Sequence, residues 1–424
     1  MYDIINELKW RGLIHQMTDE NLAAKLLEKP RVLYVGFDPT ADSLHVGHLV
    51  QLMALRRFQM AGHRPIALIG GATGMIGDPS GKSEERNLLT LETIRKNTEG
   101  IKVQLERFLD FSGEFGAMLL NNYDWLGKFG YLEFLRDVGK LFSINVMMAK
   151  DSVKLRLAQA DAGLSYTEFS YQILQSYDFY WLNEHYGCEL QLGGSDQWGN
   201  ITAGADLVRR LNGNQVYGLT SPLLTKSDGK KMGKTESGVL WLDPERTSPY
   251  QFYQYWINLE DADVGKTLCY FTDLSRDDID AVMGEHAKQP EKRIAQRKLA
   301  DEFTKIIHGE DGLKIAQKAT EIFFGGEIAQ LNDKQLVAIF ADVPSCELPF
   351  VRLREGLSVI DAFVESGLAK SKAEARRNID QGGAYLNNKK ITDHDMKLLP
   401  EHLASETVMI LRSGKKSYAL LRFL

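Results

Sequence analysis

The chain has 424 residues with a formal net charge of −6, and 44% of its residues are hydrophobic. This length predicts two to four globular domains, and the acidic balance gives no general sign of a nucleic-acid partner. No run approaches the ~18 apolar residues of a membrane span, the first ten residues lack a secretion pattern, and three distant cysteines argue against disulfides, so we expect a cytoplasmic protein.

A strand, a helix and a second strand are predicted between residues 31 and 71. Residues 31–37 are rich in β-branched and aromatic side chains, residues 44–61 repeat apolar side chains at helical spacing, and residues 64–71 form another apolar run. A βαβ unit implies a parallel sheet, so we expect an α/β fold with a Rossmann-like catalytic domain. Ligands of such sheets bind beyond the carboxyl ends of the strands.

Two histidines, His45 and His48, flank Gly47 at the predicted start of this helix. A zinc site would need further ligands at suitable spacing, and none is present. A nucleotide site fits better, because a helix N-terminus presents free N–H groups to an anion and imidazoles donate hydrogen bonds to phosphate. Gly47 would let a flat ring approach the backbone. Cytidylyltransferase-type enzymes share this HxGH pattern.

A glycine-rich loop follows at residues 77–83, with the sequence GDPSGKS. It has only three residues between its glycines where a P-loop needs four, so a P-loop ATPase is disfavoured. Lys82 and Arg86 could still contact phosphate.

A polar stripe is predicted on the helix that begins at Ser165. Tyr171, Gln175 and Asp178 lie within about 60° of one another around a helix that is otherwise largely apolar. Such a stripe is expected to line a pocket, where a phenol, an amide and a carboxylate could hold an ammonium group and a buried hydroxyl. A solvent-facing stripe is the alternative.

A basic loop at residues 228–235 contains Lys231, Met232, Gly233, Lys234 and Thr235. Taken alone it could be a solvated turn. Together with the HVGH segment it resembles the class I aminoacyl-tRNA synthetases, which pair HxGH with K-M-S-K-S. This chain departs from that pattern at Gly233 and Thr235 and keeps both lysines.

The rest of the chain is predicted to form smaller parts. The expected organisation is a catalytic domain over 1–247, an α-helical domain over 248–325, a linker over 326–356 that contains two prolines, and a small α+β module over 357–424. The last module carries eleven Lys/Arg against eight Asp/Glu. This excess is a weak indication of RNA contact, and a solvated surface is equally compatible with it.

The C-terminal module resembles the S4 RNA-binding domain, with S-K-A-E-A-R-R-N-I from Ser371 followed by a Gly-Gly turn. The resemblance implies that Lys372, Arg376 and Arg377 bind RNA, and clustered cations of this kind suit phosphate backbones. Asn388 replaces the usual glycine, and asparagine tolerates the left-handed conformation. A helix packed on the body with a solvated basic face is the alternative.

Three segments resemble bacterial tyrosyl-tRNA synthetases: YVGFDPTADSLH from Tyr34, GSDQWGN from Gly194 and TSPYQFYQ from Thr247. By this resemblance Tyr34 and Asp178 bind the phenol, and Asp78, Tyr171 and Gln175 hold the α-ammonium. The implied ATP and adenylate contacts are Gly36, Asp38, Gly47, Gly194, Asp196, Gln197 and Lys234. The implied catalytic set is Thr40, His45, His48, Lys82, Arg86, Lys231, Lys234 and Thr235.

The resemblance implies a homodimeric ligase that uses tyrosine, ATP with Mg²⁺, and tRNA, without a protein-bound metal. A pocket that pairs a buried phenol would reject phenylalanine without an editing domain, a case for which tyrosyl-tRNA synthetase is itself the standard example. Two alternatives remain open: a tryptophan–tRNA ligase, and a non-catalytic RNA-binding protein on a synthetase scaffold.

Overall fold

The computed structural model describes residues 2–80, 89–157, 163–235, 238–328, 331–415 and 417–424. The chain divides into two compact units. The first contains Met1–Asp243 and Glu260–Ala295, and the second contains Pro244–Leu259 and Gln296–Leu424. Among the described residues, no helix has both the length and the apolar content that crossing a bilayer requires.

The first unit is built on a six-stranded sheet in the order β1-β6-β5-β2-β3-β4. Strands β2 to β6 are parallel to one another, and the edge strand β1 pairs with β6 in the antiparallel direction. The strands are β1 (Gln16–Met17), β2 (Val32–Phe37), β3 (Arg64–Ile69), β4 (Met118–Asn121), β5 (Cys188–Gly194) and β6 (Tyr217–Ser221).

The central strands are buried because both faces of the sheet are covered. In β3 every residue after Arg64 is buried, and in β2 only Gly36 is exposed. Parallel strands with helices on both faces are expected to read as such continuous apolar runs. The helices of this part of the chain are α1 (Ile4–Trp10), α2 (Leu22–Glu28), α3 (Leu49–Met60), α4 (Leu91–Phe108), α5 (Tyr123–Leu126), α6 (Tyr131–Asp137), α7 (Ile144–Met148), α8 (Asp151–Leu157), α9 (Tyr166–Tyr186) and α10 (Trp198–Asn212).

The predicted βαβ unit and α/β class are confirmed, with one difference at the start of the helix. The regular helix α3 begins at Leu49, and a 3₁₀ turn over Val46–His48 precedes it. Helix α9 begins where the sequence predicts, because the Ser165 side chain accepts a hydrogen bond from the Glu168 backbone N–H.

Residues after 228 form a small hairpin and then four helices. The hairpin pairs β7 (Lys234–Thr235) with β8 (Gly238–Val239). The helices are α11 (Pro249–Ile257), α12 (Asp261–Phe271), α13 (Arg276–His286) and α14 (Ile294–Phe323), and α14 contains a non-helical residue at Gly309. The expected helical domain over 248–325 differs from the structure, since α12 and α13 fall in the first unit. Buried Arg57 of α3 holds α12 there by donating to the carbonyls of Tyr270 and Thr272.

The second unit contains a five-stranded sheet in the order β12-β11-β14-β15-β9 and a short pair of β10 and β13. Its strands are β9 (Ser345–Leu348), β10 (Leu357–Ser358), β11 (Ala384–Leu386), β12 (Lys389–Lys390), β13 (Lys397–Leu398), β14 (Val408–Ser413) and β15 (Ser417–Phe423). Its last helices are α15 (Asp333–Ile339), α16 (Phe350–Glu355), α17 (Val359–Glu365) and α18 (Lys372–Asp380).

The prediction of a linker over 326–356 is wrong. This segment contains α15, the edge strand β9 and α16, and β9 pairs in parallel with β15. Leu336 and Ile339 of α15 are buried in one core with Val408 and Ile410 of β14. The module that the sequence places at 357–424 therefore also needs residues before 357 to complete its sheet and core.

Candidate active site

A cavity of about 360 Å³ opens at the carboxyl ends of β2 and β5. This is the edge at which parallel sheets bind ligands. Most of the predicted site residues line it together. They are Tyr34, Gly36, Asp38, Thr40, His45, Gly47, His48, Asp78, Tyr171, Gln175, Asp178, Gly194, Asp196 and Gln197.

At one end of the cavity a buried carboxylate stands beside a buried phenol. Asp178 accepts hydrogen bonds from Trp125 Nε1 (2.8 Å) and Asn122 Nδ2 (2.9 Å), which hold both of its oxygens. Burial raises the pKa of Asp178 to about 7, while these two donors oppose the shift. Burial and the charge of Asp178 also raise the pKa of Tyr34. Tyr34 Oη has no hydrogen-bond partner among the described residues, so a polar ligand atom could pair with it.

A second carboxylate, Asp38, connects β2 to helix α9. Tyr171 Oη donates to Asp38 Oδ2 (2.9 Å), and Thr73 Oγ1 donates to Asp38 Oδ1 (2.8 Å). Thr73 in turn accepts from Asn122 (2.9 Å), so the network reaches Asp178. Gly70 makes room for it, because a Cβ there would lie 2.0 Å from Asp38 Oδ1. The predicted stripe on α9 therefore faces a pocket, not solvent.

A group of amides surrounds a third carboxylate, Asp78. Gln197 Nε2 donates to Asp78 Oδ2 (2.7 Å), and the Ser80 backbone N–H donates to Asp78 Oδ1 (2.9 Å). Burial raises the pKa of Asp78 despite these donors. Gln175 and Gln197 are themselves hydrogen-bonded (3.3 Å). These oxygens form a negative, acceptor-rich surface that suits a substrate ammonium group.

The HVGH turn differs from its expected form. Its backbone N–H groups are not free: Gly47 N donates to His45 Nδ1 (3.0 Å), His45 N donates to His48 Nδ1 (3.2 Å), and Val46 N donates to the Leu240 carbonyl (3.1 Å). Because both Nδ1 atoms accept, a neutral imidazole carries its proton on Nε2. The Nε2–H groups of the two imidazoles are therefore the donors that this turn could offer to an anion. Gly47 is needed because a Cβ there would lie 2.7 Å from the His45 ring.

The KMGKT loop packs against the HVGH turn through its glycine. Gly233 has φ = 84°, and a Cβ there would lie 2.8 Å from the Val46 Cβ, which accounts for a glycine where the family pattern has serine. Leu240 N donates to the Gly233 carbonyl (2.8 Å), and the Leu240 carbonyl accepts from Val46 N, so the backbone of Leu240 joins the two motifs. Buried Asp263 of α12 accepts from the Ser227 backbone N–H (2.8 Å) before the loop.

Some of the predicted site residues are not among those shown to line the cavity. Lys231 and Lys234 are exposed and are not among the residues that line the cavity. Lys82 and Arg86 lie outside the described residues, as does the side chain of Thr235, so their roles stay predictions. Among the described residues, no cluster of three or more His, Cys, Asp or Glu could hold a metal ion.

The predicted RNA-binding residues lie on α18 in the second unit. Arg376 and Arg377 are exposed, while Ala375 and Ile379 of the same helix are buried. Lys372 pairs with Asp361 (2.7 Å) and remains largely exposed. The helix therefore has an apolar inner face and a basic outer face. In the turn between β11 and β12, Asn388 has the left-handed conformation predicted for it (φ = 63°), and Asn387 also has a positive φ (48°).

Sequence reasoning missed Thr73, Asn122, Trp125 and Asn200. Asn122 directly follows strand β4, so the argument that selected Asp38 after β2 could also have selected it. Thr73 likewise follows the carboxyl end of β3, and Asn200 ends the GSDQWGN segment, whereas Trp125 has no comparable signal.

Comparisons with known proteins identify the family of the chain. The family model described as "tRNA synthetases class I (W and Y)" matches residues 26–325, and the model of the "Tyrosine--tRNA ligase SYY-like C-terminal domain" matches residues 335–421. The chain is 55% identical to the tyrosine–tRNA ligase of Rhodopirellula baltica, over 99% of this chain and 96% of that protein. It is 53% identical to the tyrosine–tRNA ligase of Roseiflexus castenholzii over the full length of both.

Solved structures agree as well. The mitochondrial tyrosyl-tRNA synthetase of Aspergillus nidulans superposes with a TM-score of 0.69 at 32% identity, over 76% of this chain and 95% of that one. A tryptophanyl-tRNA synthetase of Encephalitozoon cuniculi shares the fold alone, with a TM-score of 0.52 at 15% identity over 78% of this chain and 90% of that one. The chain belongs to the class I tRNA synthetases of the tryptophan and tyrosine group, and within that group to the bacterial tyrosine–tRNA ligases.

Proposed function

We propose that this chain activates tyrosine with ATP, giving tyrosyl-AMP and pyrophosphate, and then transfers the tyrosyl group to the 3′ end of its tRNA. The observation that carries the substrate assignment is the buried pair of Tyr34 and Asp178 at the end of the cavity. A substrate phenol can pair with the Tyr34 hydroxyl and the Asp178 carboxylate together. Phenylalanine would leave both groups buried without a partner, which costs binding energy.

The reaction needs no covalent enzyme intermediate. The tyrosine carboxylate attacks the α-phosphate, and the enzyme contributes positioning and charge stabilisation. Asp78, Tyr171 and Gln175 would hold the α-ammonium, and Asp38, Asp196 and Gln197 would contact the adenylate beside Gly36, Gly47 and Gly194. Thr40 and the two imidazoles would donate to the phosphates, and Lys82, Arg86, Lys231, Lys234 and Thr235 would stabilise the departing pyrophosphate.

The remaining assignments concern partners. Mg²⁺ would enter with the triphosphate as part of the ATP substrate. The exposed cations of α18, Lys372, Arg376 and Arg377, would bind the tRNA backbone, whose charges such side chains neutralise. Its role in protein synthesis would place the enzyme in the cytoplasm.

The test is ATP–pyrophosphate exchange measured with each amino acid in turn. We expect exchange with tyrosine, at least about 100-fold above that with phenylalanine or tryptophan, since a site that hydrogen-bonds a substrate hydroxyl strongly rejects analogues without it. Tryptophan-dependent exchange would establish the tryptophan ligase instead. If none of the amino acids supports exchange, the result would favour the non-catalytic RNA-binding protein. Charging of tRNA with labelled tyrosine then tests the second step.

We also propose that the enzyme is a homodimer, formed through an apolar surface of the first unit. This surface consists of Tyr131 and Leu132 of α6, Ile144 and Val146 of α7, and Tyr166 of α9, each of which is more than half exposed. A hydrogen bond between Tyr131 and Tyr166 joins α6 to α9 and raises the pKa of Tyr166. Exposed apolar side chains that lie together, as Tyr131 and Tyr166 do, favour a protein interface, and a second copy of the chain is the occupant we propose.

Replacing Leu132 by glutamate should dissociate this dimer. Leu132 is 78% exposed, so the change costs the monomer little, whereas burying two glutamates at a symmetric interface is unfavourable. Sedimentation equilibrium should give a mass near 47.8 kDa for the variant and twice that for the wild type. Val103→Glu on α4, at a similarly exposed apolar residue outside this surface, is the control and should remain dimeric. A dimeric Leu132→Glu protein would refute the surface.

A further inference from the structure

Three side-chain amides form a hydrogen-bonded line that ends at Asp78. Asn200 Nδ2 donates to Gln175 Oε1 (2.9 Å), Gln175 Nε2 donates to Gln197 Oε1 (3.3 Å), and Gln197 Nε2 donates to Asp78 Oδ2 (2.7 Å). Asn200 Nδ2 also donates to Gln197 Oε1 (3.3 Å). Gln175, Gln197 and Asp78 line the cavity, whereas Asn200 is buried behind them on α10.

The two ends of this line fix the direction of every amide in it. An ionised carboxylate only accepts, so Gln197 must turn its NH₂ group toward Asp78 and its oxygen toward Gln175 and Asn200. Gln175 then turns its NH₂ group toward Gln197 and its oxygen toward Asn200. Both of these oxygens accept from the NH₂ group of Asn200. The donor at position 200 and the acceptor at position 78 therefore fix the same orientation of Gln175 and Gln197 from opposite ends of the line.

We propose that Asn200 is a positioning residue for the α-ammonium group of tyrosine. This proposal rests on the proposed function. An ammonium group has three donors and no acceptor, so it needs the oxygen of Gln175 and not its NH₂ group. Asn200 keeps Gln175 in that orientation without touching the substrate, and through Gln197 it keeps a donor on Asp78. Binding of the α-ammonium group would thus depend on a residue that does not itself line the cavity.

A purely structural role for Asn200 would give different results. Asn200 also ties α10 to Gln175 of α9, so its loss could lower stability alone. Such a loss would alter the melting temperature without a selective effect on tyrosine. The positioning role predicts a rise in KM for tyrosine, with KM for ATP nearly unchanged.

Asn200→Asp is the principal test, because it keeps the shape and replaces the donor by an acceptor. The line then has an acceptor at each end. Either two oxygens face each other at one of its contacts, or Gln175 turns its NH₂ group toward the ammonium. We expect KM for tyrosine in the exchange assay to rise at least about tenfold, and KM for ATP to change less than about twofold. Asn200→Ala, which removes the donor without adding charge, should raise KM for tyrosine by about threefold.

Two controls separate positioning from stability. Asn183 is another buried asparagine of the first unit, and its Nδ2 donates to the Cys188 carbonyl, so Asn183→Asp makes the same change outside the line. We expect a lower melting temperature and an unchanged KM for tyrosine. The second control is 3-(4-hydroxyphenyl)propanoate, which lacks the α-ammonium. Its inhibition constant should be the same in wild type and Asn200→Asp.

Several outcomes would overturn the proposal. One is an unchanged KM for tyrosine in Asn200→Asp. Another is that Asn200→Asp weakens the binding of tyrosine and of the propanoate by the same factor. If Asn200→Asp does not fold, an unchanged KM for tyrosine in Asn200→Ala decides against it. A wild-type enzyme that fails to activate tyrosine would refute the proposed function itself, which the same assay reports separately.

Discussion

Replacing Asp178 by asparagine should lower kcat/KM for tyrosine by about 100-fold or more, because the change removes a charged hydrogen-bond acceptor from a buried site. Both carboxylate oxygens already accept a protein N–H, from Trp125 and from Asn122. Asparagine has one oxygen and one NH₂ group, so one of these donors would face another donor. The substrate hydroxyl would meet a disturbed site without the negative charge.

The measurement is tyrosine-dependent exchange, with KM for ATP determined in parallel. KM for ATP should change less than about twofold, since Asp178 lies at the end of the cavity assigned to the phenol. Asp342→Asn is the control: this aspartate of the second unit accepts a hydrogen bond from Ser248 and does not line the cavity. It should leave kcat/KM for tyrosine unchanged. A normal kcat/KM in Asp178→Asn would remove Asp178 from substrate recognition.

The same variant should change how stability depends on pH. Burial raises the pKa of Asp178 from its ordinary 3.8 to about 7. Between these values the folded chain holds a proton that the unfolded chain releases, so this carboxyl makes the free energy of unfolding decrease as pH rises. The full effect is about 4 kcal/mol. Urea unfolding at pH 5 and pH 8 gives the free energy of unfolding at each pH. The decrease in this free energy from pH 5 to pH 8 should be smaller in Asp178→Asn than in the wild type.

The sequence predicts those parts of the site that depend on local periodicity. The stripe of Tyr171, Gln175 and Asp178 follows from helical spacing alone, and the structure places all three in one cavity. The placement of Asp38 follows from the rule that ligands bind at the carboxyl ends of parallel strands. Trp125 and Asn200 follow from neither argument, because their contacts join elements that are distant in sequence.

Two sequence-based errors have local physical causes. The prolines Pro344 and Pro349 indicated a linker, yet each lies at an element boundary that tolerates proline. Pro344 precedes the edge strand β9, and Pro349 precedes α16 as its N-cap. The HVGH turn was expected to offer free backbone N–H groups. Its histidine side chains accept two of them instead, which no periodicity argument anticipates.

Replacing Lys234 by alanine should slow the formation of tyrosyl-adenylate by about 100- to 1,000-fold, while the affinity for tyrosine changes less than about twofold. Lys234 begins the β7–β8 hairpin, and its backbone follows Gly233, which packs on Val46 of the HVGH turn. The backbone of the loop therefore lies beside the turn that carries the two imidazoles proposed to bind phosphate. We expect its charge to act mainly on the additional negative charge that develops on the departing pyrophosphate in the transition state.

Pre-steady-state measurement of adenylate formation and equilibrium dialysis with tyrosine test this separation of rate from binding. Lys230→Ala is the matched control, because Lys230 lies in the same loop, is 82% exposed at its side chain and pairs with Asp228. It should leave both quantities unchanged. If Lys234→Ala weakens tyrosine binding as much as it slows the reaction, the lysine acts on the ground state, and its proposed role in stabilising the transition state would be wrong. A loss confined to the rate would mean that the loop binds the reacting phosphates more tightly than it binds ATP.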